Sequence, residues 1–271
     1  MILGIDLNHY RPNVSLEAAM EQGVGFLISK CSQGEVLDET YLGYQAEAKG
    51  LELPFGGYCY WDAKIDPIKQ GAYLAHNIGE TELLPILDVE KYGNQGILSQ
   101  VNAVAHIKST LETINTLTER AVMIYTNKDS WQVITGNAPI IADYPLWVAN
   151  WGVSSPNLPI GANNWVFWQW TNSYNIGGYI KGVDANYYNG DAAKFQEYLE
   201  SIAIPIPPPA FPKYVAVTYW RNSVLRGTPN GAFVTVAAKD EVLKVIGQQD
   251  DWYQVSSGLW IPVSQVEEVD P

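Results

Sequence analysis

The sequence predicts an α/β protein: an irregular eight-stranded β/α barrel (TIM-like) over residues 1–202, followed by a small all-β unit over 214–271. Three observations point there. Short apolar, β-rich runs alternate with helix-patterned stretches up to about residue 200, and alternating βα units imply parallel strands. The segment "AIPIPPPAFPK" (203–213) is proline-rich, and proline favours extended backbone and removes amide donors, so it reads as a stiff linker. Beyond it the pattern changes to short strand-like runs broken by turns such as "TPNG".

The elements follow in order. "ILGIDLN" (2–8) reads as a strand, then a helix at "SLEAAMEQG" with Ser15 as its N-cap. "GFLISKCS" (25–32) is the second strand, and "DETYLGYQAEAKG" (38–50) a helix closed by Gly50. "PFGGYCYW" (54–61) is the third strand, with a helix around 67–78. "LPILDVE" (84–90) is the fourth, before a long helix near 97–118, and "AVMIYTN" (121–127) is the fifth. After it helices shrink: "YPLWVANW" (144–151), "NWVFWQWT" (164–171) and "GVDANYY" (182–188) read as three strands joined by loops or short turns. "DAAKFQEYLESI" (191–202) is a closing helix. Five runs, "YVAVTYW", "FVTVAA", "VLKVIGQ", "WYQVSS" and "GLWIPV", suggest a small barrel of about five strands in 214–271.

Bulk properties exclude several classes of function. A net charge of −13 argues against nucleic acid or an anionic membrane surface as partner. No apolar run approaches the roughly 20 residues of a membrane helix. The start "MILGIDLNHY" lacks the basic and long apolar regions of a secretion signal, so synthesis in a cytoplasm and action after release are expected. Cys31 and Cys59 sit in strand-like runs and read as buried free thiols; with His9, His76 and His106 scattered, neither a metal site nor a cofactor is expected. Tryptophan (10) and tyrosine (17) outnumber phenylalanine (6), a bias that suits stacking on sugar rings as well as core packing.

The chemistry concentrates in "LPILDVE". In a strand Asp88 and Glu90 share a face while Val89 points away, with Cα atoms roughly 6.5 Å apart. Two carboxyls that close oppose each other's ionisation, which leaves an acid beside an anion. Functional residues of a β/α barrel collect at the C-terminal strand ends, where Asp88 and Glu90 lie with Asp6; Asp62 follows strand three, and Asp184 comes early in the last strand. Acids and aromatics in one cleft fit glycoside hydrolysis.

These residues carry a family resemblance. Over about residues 2–202 the chain resembles glycoside hydrolase family 25, the Chalaropsis-type lysozymes (N-acetylmuramidases) of many phage endolysins. The matching segments are "GIDLNHY", "ISKCSQG", "LDETYLGYQAEAKGL", "GGYCYW", "LPILDVE", "VMIYTN", "LWVANW", "FWQWT" and "VDANYYNGD", in that order. The resemblance implies cleavage of the β-1,4 bond between N-acetylmuramic acid and N-acetylglucosamine in peptidoglycan, with retention; either the substrate's acetamido group, which suits the family, or an enzyme carboxylate would be the nucleophile. It makes Glu90 the general acid/base. Asp88 would orient the acetamido group or stabilise the oxocarbenium-like centre, while Asp6 and Asp184 complete the acid cleft. Tyr60, Tyr125, Trp147 and Gln169 are candidate sugar contacts, each equally readable as core. The chain departs from the family's K-A-T-E-G in having Lys30-Cys31-Ser32-Gln33-Gly34. A chitinase-like barrel would need Asp at position 86, which is Ile86.

Residues 214–271 resemble bacterial Src-homology-3-like wall-binding modules through "WRNSVLRGTPNGAFVTV" and "DDWYQV". Tyr219, Trp220, Trp252 and Tyr253 would line a groove for a peptide stem or crossbridge; alternatively Trp252 and Trp260 fill a small core. The implied whole is a modular endolysin, and the rival is a non-catalytic wall-binding or virion protein on a related barrel.

Overall fold

Alternation along the strands builds two cores at once in the first part of the chain. The computed structural model describes residues 1–179, 181–203, 214–218, 223–255 and 258–269. The chain divides into two compact units, Met1–Pro205 and Ile206–Pro271.

In the first unit, β1 (Ile2–Leu7) pairs with β2 (Val24–Gln33), on which the two-residue β3 (Val36–Leu37) folds back. The sheet continues through β4 (Phe55–Tyr60), β5 (Ile86–Asp88), β6 (Met123–Thr126), β7 (Leu146–Ala149), β8 (Phe167–Tyr174) and β9 (Val183–Tyr188). β9 returns to β1 and closes an eight-stranded barrel, with β3 as an appendage. Six helices accompany it: α1 (Leu16–Glu21), α2 (Tyr41–Gly50), α3 (Pro67–Asn77), α4 (Gln100–Thr118), α5 (Lys128–Thr135) and α6 (Ala192–Ile202).

One set of strand positions, Phe26, Ile28, Tyr58, Ile86, Met123, Tyr125, Trp147 and Phe167, packs into a single cluster with Phe195 of α6. The alternate positions, among them Leu27, Leu87, Ile124, Val148 and Trp168, pack with helix residues such as Leu74, Ile107 and Leu111. Period-two alternation therefore sends one face of each strand into the barrel and the other under the helices. α6 closes the end of the barrel away from the acids, through Phe195, Tyr198 and Leu199. Among the described residues no helix is long and apolar enough to cross a membrane.

Several expectations need correction. The barrel is not all parallel: β9 runs antiparallel to both β8 and β1, because β8 and β9 are joined as a hairpin rather than through a helix. α5 was expected to be a loop or short turn; Asn127 Oδ1 accepts from Ser130 N at 2.8 Å and Gly136 ends the helix at φ 67°. α2 starts at Tyr41 rather than 38, because the Asp38 carboxylate holds the preceding turn by accepting from Thr40 N and Oγ1. Gly50 is its last helical residue and Leu51 its cap. β5 is shorter than 84–90 and ends at Asp88.

Among its described residues the second unit is built of strands and one short 3-10 turn, with seven strands instead of about five: β10 (Tyr214–Val217), β11 (Ser223–Arg226), β12 (Phe233–Ala237), β13 (Val242–Gln249), β14 (Trp252–Val255), β15 (Trp260–Pro262) and β16 (Val266–Glu268). They pair antiparallel in the order β12-β11-β15-β14-β13-β10-β16 around a core of Val217, Leu225, Ala237, Val255 and Ile261. β11 and β16 were not expected as strands. The proline-rich stretch 204–213, and Tyr219 and Trp220, lie outside the described residues.

Gly4 marks where the barrel interior is tightest. A Cβ there would lie 2.2 Å from the ring of Phe26, itself wedged against Phe167 and Phe195. Gly4→Ala is expected to destabilise the protein by about 1–3 kcal/mol through overpacking, read as a lowered midpoint in urea unfolding; an unchanged midpoint would contradict this packing.

Candidate active site

The sheet brings Asp6, Asp88, Glu90 and Asp184 to one cleft of about 520 Å³, together with Tyr60, Tyr125, Trp147 and Gln169. The antiparallel β9 explains the position of Asp184: it pairs in register with Asp6, so an early residue of β9 lies beside a late residue of β1. In a parallel strand it would have been at the opposite rim.

The backbone around the D-x-E motif is clamped on both sides. Trp61 N donates to Asp88 O at 2.9 Å, and Val89 N donates to Tyr125 O at 2.8 Å. Thr126 Oγ1 donates to Val89 O at 2.7 Å, and Lys91 N to Ser130 Oγ at 3.2 Å. The buried amide of Asn94 donates to Trp61 O at 2.7 Å and Glu90 O at 3.1 Å, and accepts from Ala63 N at 2.8 Å, tying the loops after β4 and β5 together. Val89 is buried in the outer core. Asp88 and Glu90 therefore both face the cleft, and their position is set by backbone bonds rather than by their own side chains.

Asp6 is held by a relay of amides. Its Oδ2 accepts from Asn186 Nδ2 at 2.8 Å and Gln169 Nε2 at 2.9 Å. The orientation of Asn186 is set by the Trp147 indole, which donates to Asn186 Oδ1 at 2.8 Å. Gln169 Oε1 accepts from Tyr125 OH and from Trp151 Nε1, both at 3.0 Å. Three of the candidate sugar contacts, Tyr125, Trp147 and Gln169, are thus buried supports of Asp6 that also wall the cleft. Tyr60 instead braces the loop after β5, its hydroxyl donating to Tyr92 O at 2.6 Å.

Electrostatics follow from burial. Asp88 is buried, and its Oδ1 has no hydrogen-bond partner. Burial first, then the charges of Glu90 and Asp6, push its carboxyl well above the usual range, with Lys30 pulling it back. Burial and Asp184 raise Glu90 from 4.5 to about 7, again opposed by Lys30. Burial raises Asp184 to about 6 against the pull of Arg11. Asp6 is raised by burial and Asp184, and its two amide bonds act the other way. Such a cluster titrates as a unit, with protons retained near neutral pH.

A second hollow of about 500 Å³ shares Glu90, Tyr92, Tyr125 and Trp151 with the first and extends past Asn127 and Asn150. Tyr92 and Trp151, at 66% and 50% exposure, stand on the shared wall as open aromatic faces. Asp62 does not join the acids; it caps its own loop, accepting from Lys64 N at 2.9 Å. Among the described residues no group of three or more His, Cys, Asp or Glu side chains is arranged to hold a metal ion. Cys31 and Cys59 are buried free thiols. In the second unit Trp252 is buried, with the Arg226 guanidinium 6.0 Å from its ring, and Tyr253 packs against the small core. Trp252 is therefore buried rather than open as a groove wall, and it lies outside the small core cluster, on the β14 face opposite Tyr253 and Val255.

An acid rim of this kind on a closed barrel has known counterparts. Residues 5–179 match the profile of glycosyl hydrolases family 25. The chain belongs to that family. Lysozyme M1 of Streptomyces globisporus is 29% identical over 204 residues, spanning 71% of this chain and 69% of that one. The N,O-diacetylmuramidase of Arthroderma benhamiae is 30% identical over 210 residues, 73% of this chain and 86% of its own. Among solved structures, a bacterial lysozyme from Streptomyces coelicolor superposes with a TM-score of 0.70 at 28% identity, covering 74% of this chain and 98% of that one. As a family 25 member the chain is a glycosidase.

Sequence reasoning missed Asn186, Lys30, Arg11, Tyr92 and Trp151. Alternation offered a signal for the first: Asn186 lies two residues after Asp184 on the same strand face. The loop residues Tyr92 and Trp151 had none.

Two outcomes follow from this geometry. Asn186→Ala removes a donor from Asp6 and orphans the Trp147 indole; it is expected to cost about 1–3 kcal/mol and lower kcat by up to about 10²-fold. Thermal unfolding and steady-state kinetics on cell walls measure both. Because folding raises Glu90 from 4.5 to about 7, the folded state holds its proton more tightly than the unfolded chain. Glu90 therefore favours folding fully below pH 4.5, and that contribution is lost as pH rises through 7. Glu90→Gln should flatten the fall in melting temperature over that window and raise it at pH 8; identical pH profiles would contradict the shift.

Proposed function

We propose that this family 25 glycosidase is a muramidase that hydrolyses the β-1,4 bond between N-acetylmuramic acid and N-acetylglucosamine in peptidoglycan. The observation that carries this reading is the pairing of Glu90, raised to about 7, with the buried, unpartnered Asp88 Oδ1 in one open cleft. The names borne by the relatives, lysozyme and N,O-diacetylmuramidase, agree with it.

The chemistry proceeds as follows. Protonated Glu90 donates its proton to the glycosidic oxygen as the bond to the anomeric carbon breaks. Asp88 Oδ1, to which no described protein group donates, accepts the N–H of the sugar's acetamido group. That bond favours ionised Asp88 and aims the acetamido oxygen at the anomeric carbon, where it closes a ring on the emerging positive charge. Glu90, now a carboxylate, takes a proton from the water that opens the ring, and the configuration is retained. Asp6 and Asp184 add negative potential around the same carbon. Tyr92 and Trp151 offer faces for sugar stacking along the extended cleft.

The second unit is read as a Src-homology-3-like wall-binding module, supported by its antiparallel small-core architecture. Its binding surface would draw on Tyr219, Trp220 and Tyr253. A tethered module raises the local concentration of a polymeric substrate. The whole is then an endolysin that reaches the wall after release from the cytoplasm in which it is made.

Purified protein and Glu90→Gln, added to bacterial walls, should differ by about 10²–10⁴-fold in new reducing ends. Mass spectrometry should place N-acetylmuramic acid at those ends. Cleavage by Glu90→Gln at the wild-type rate, or N-acetylglucosamine at the ends, would overturn the reading. Removal of 203–271 should weaken wall pull-down while soluble fragments are still cut; undiminished pull-down would remove the binding role.

A further inference from the structure

Lys30 is a buried ammonium at the edge of the acid cleft, on the β2 strand face shared with Ile28. Its Nζ donates to Gln33 Oε1 at 3.0 Å and lies 5.2 Å from the centre of the Tyr60 ring. No carboxylate is within salt-bridge distance of it among the described residues. Titratable groups from three parts of the fold nonetheless act on it: Asp88 at the end of β5 with Glu90 just after it, Asp38 in the turn before α2, and the Cys59 thiol of β4. Burial pushes the ammonium down, and Asp88, Asp38 and Glu90 push it back up. In turn Lys30 is the cation that restrains the rise of both Asp88 and Glu90. Asp38 is already engaged, its Oδ2 lying 2.6 Å from His9 Nδ1, so the nearest polar partner of Lys30 is the neutral amide of Gln33.

We propose that Lys30 and Gln33 form a charge-setting pair for the acid cleft, in which the neutral amide holds the ammonium in place without cancelling its charge. Lys30 is a positioning residue, acting through Asp88 and Glu90. A carboxylate at position 33 would make the same contact and remove the net charge. Both Asp88 and Glu90 would then lose part of the restraint on their protonation, and the activity profile would move to higher pH. Gln33 itself is exposed and shares a shallow hollow with Glu35, Asp38, Asp62 and His9, so the substitution places no strain on the core. Besides Glu35 and Asp62 the hollow holds His9, which is already engaged by Asp38, so among the described residues lining it Lys30 is the lysine or arginine an added carboxylate would meet.

This inference rests on the glycosidase reading, and the test separates the two. The pH dependence of kcat/KM on cell walls is measured for wild type, Gln33→Glu, Lys30→Met and Lys30→Arg. Gln33→Glu should shift both limbs upward by ~0.5–1 pH unit, and Lys30→Met should shift them the same way with a loss of maximal rate. Lys30→Arg, keeping the charge, should restore the wild-type limbs; a purely structural lysine would leave the limbs unmoved in every variant. Unmoved limbs in Gln33→Glu with wild-type activity intact would overturn the inference and leave the glycosidase standing. Absence of cleavage by wild type itself would overturn both.

Discussion

Four carboxyl groups share one rim of the barrel, and keeping them there shapes what surrounds them. Each is taken out of water, and each resists the ionisation of its neighbours. A cluster of that kind persists only where the backbone leaves the side chains no alternative. Here the strands supply that constraint: Asp6 and Asp184 face each other across a β1–β9 register pair, and the segment from Asp88 to Lys91 is tied by backbone bonds to β4, β6 and α5. The aromatic layer beneath, Tyr58, Tyr125 and Trp147, excludes water from below, and two of its members orient the amides that hold Asp6.

The acids are not equivalent, and their differences divide the work among them. Asp6 has its donors already, two amide N–H groups on one oxygen. Asp88 has an oxygen with none. Glu90 is less enclosed and stands where the two halves of the cleft meet. A satisfied carboxyl sets potential, an unsatisfied one awaits a donor from the substrate, and an accessible one near neutrality can exchange its proton. Arg11 and Lys30 approach from opposite ends of this set, one acting on Asp184 and the other on Asp88 and Glu90. Stability is given up for this arrangement, since a buried acceptor without a partner costs about 1–3 kcal/mol.

Much of this was legible in the residues. Alternating βα runs foretold the barrel, and the D-x-E spacing placed Asp88 and Glu90 on one face because a strand has a period of two. The direction of the last strand was not legible: "GVDANYY" has the composition of any buried strand, and only the hairpin with β8 reverses it and carries Asp184 to the right rim. Helix α5 was hidden by "NKDSWQVITG", whose capping asparagine and closing glycine look like loop residues when apolar positions are few. Gln169, Tyr125 and Trp147 were readable as wall residues, but their service to Asp6 depends on contacts between strands distant in sequence. In the second unit the short strands β11 and β16 carry too few alternating positions to stand out, and the burial of Trp252 depends on neighbours such as Arg226 that are distant in sequence.

Enclosure and like charge, moderated by the buried ammonium of Lys30, keep a proton on Glu90 near neutrality. Carboxyl-carbon nuclear magnetic resonance of protein labelled at glutamate, with Glu90→Gln to assign the resonance, measures that proton directly. The account predicts a Glu90 resonance that titrates near pH 7, well separated from the ordinary 4.5. Titration of Glu90 at the ordinary 4.5 would contradict it.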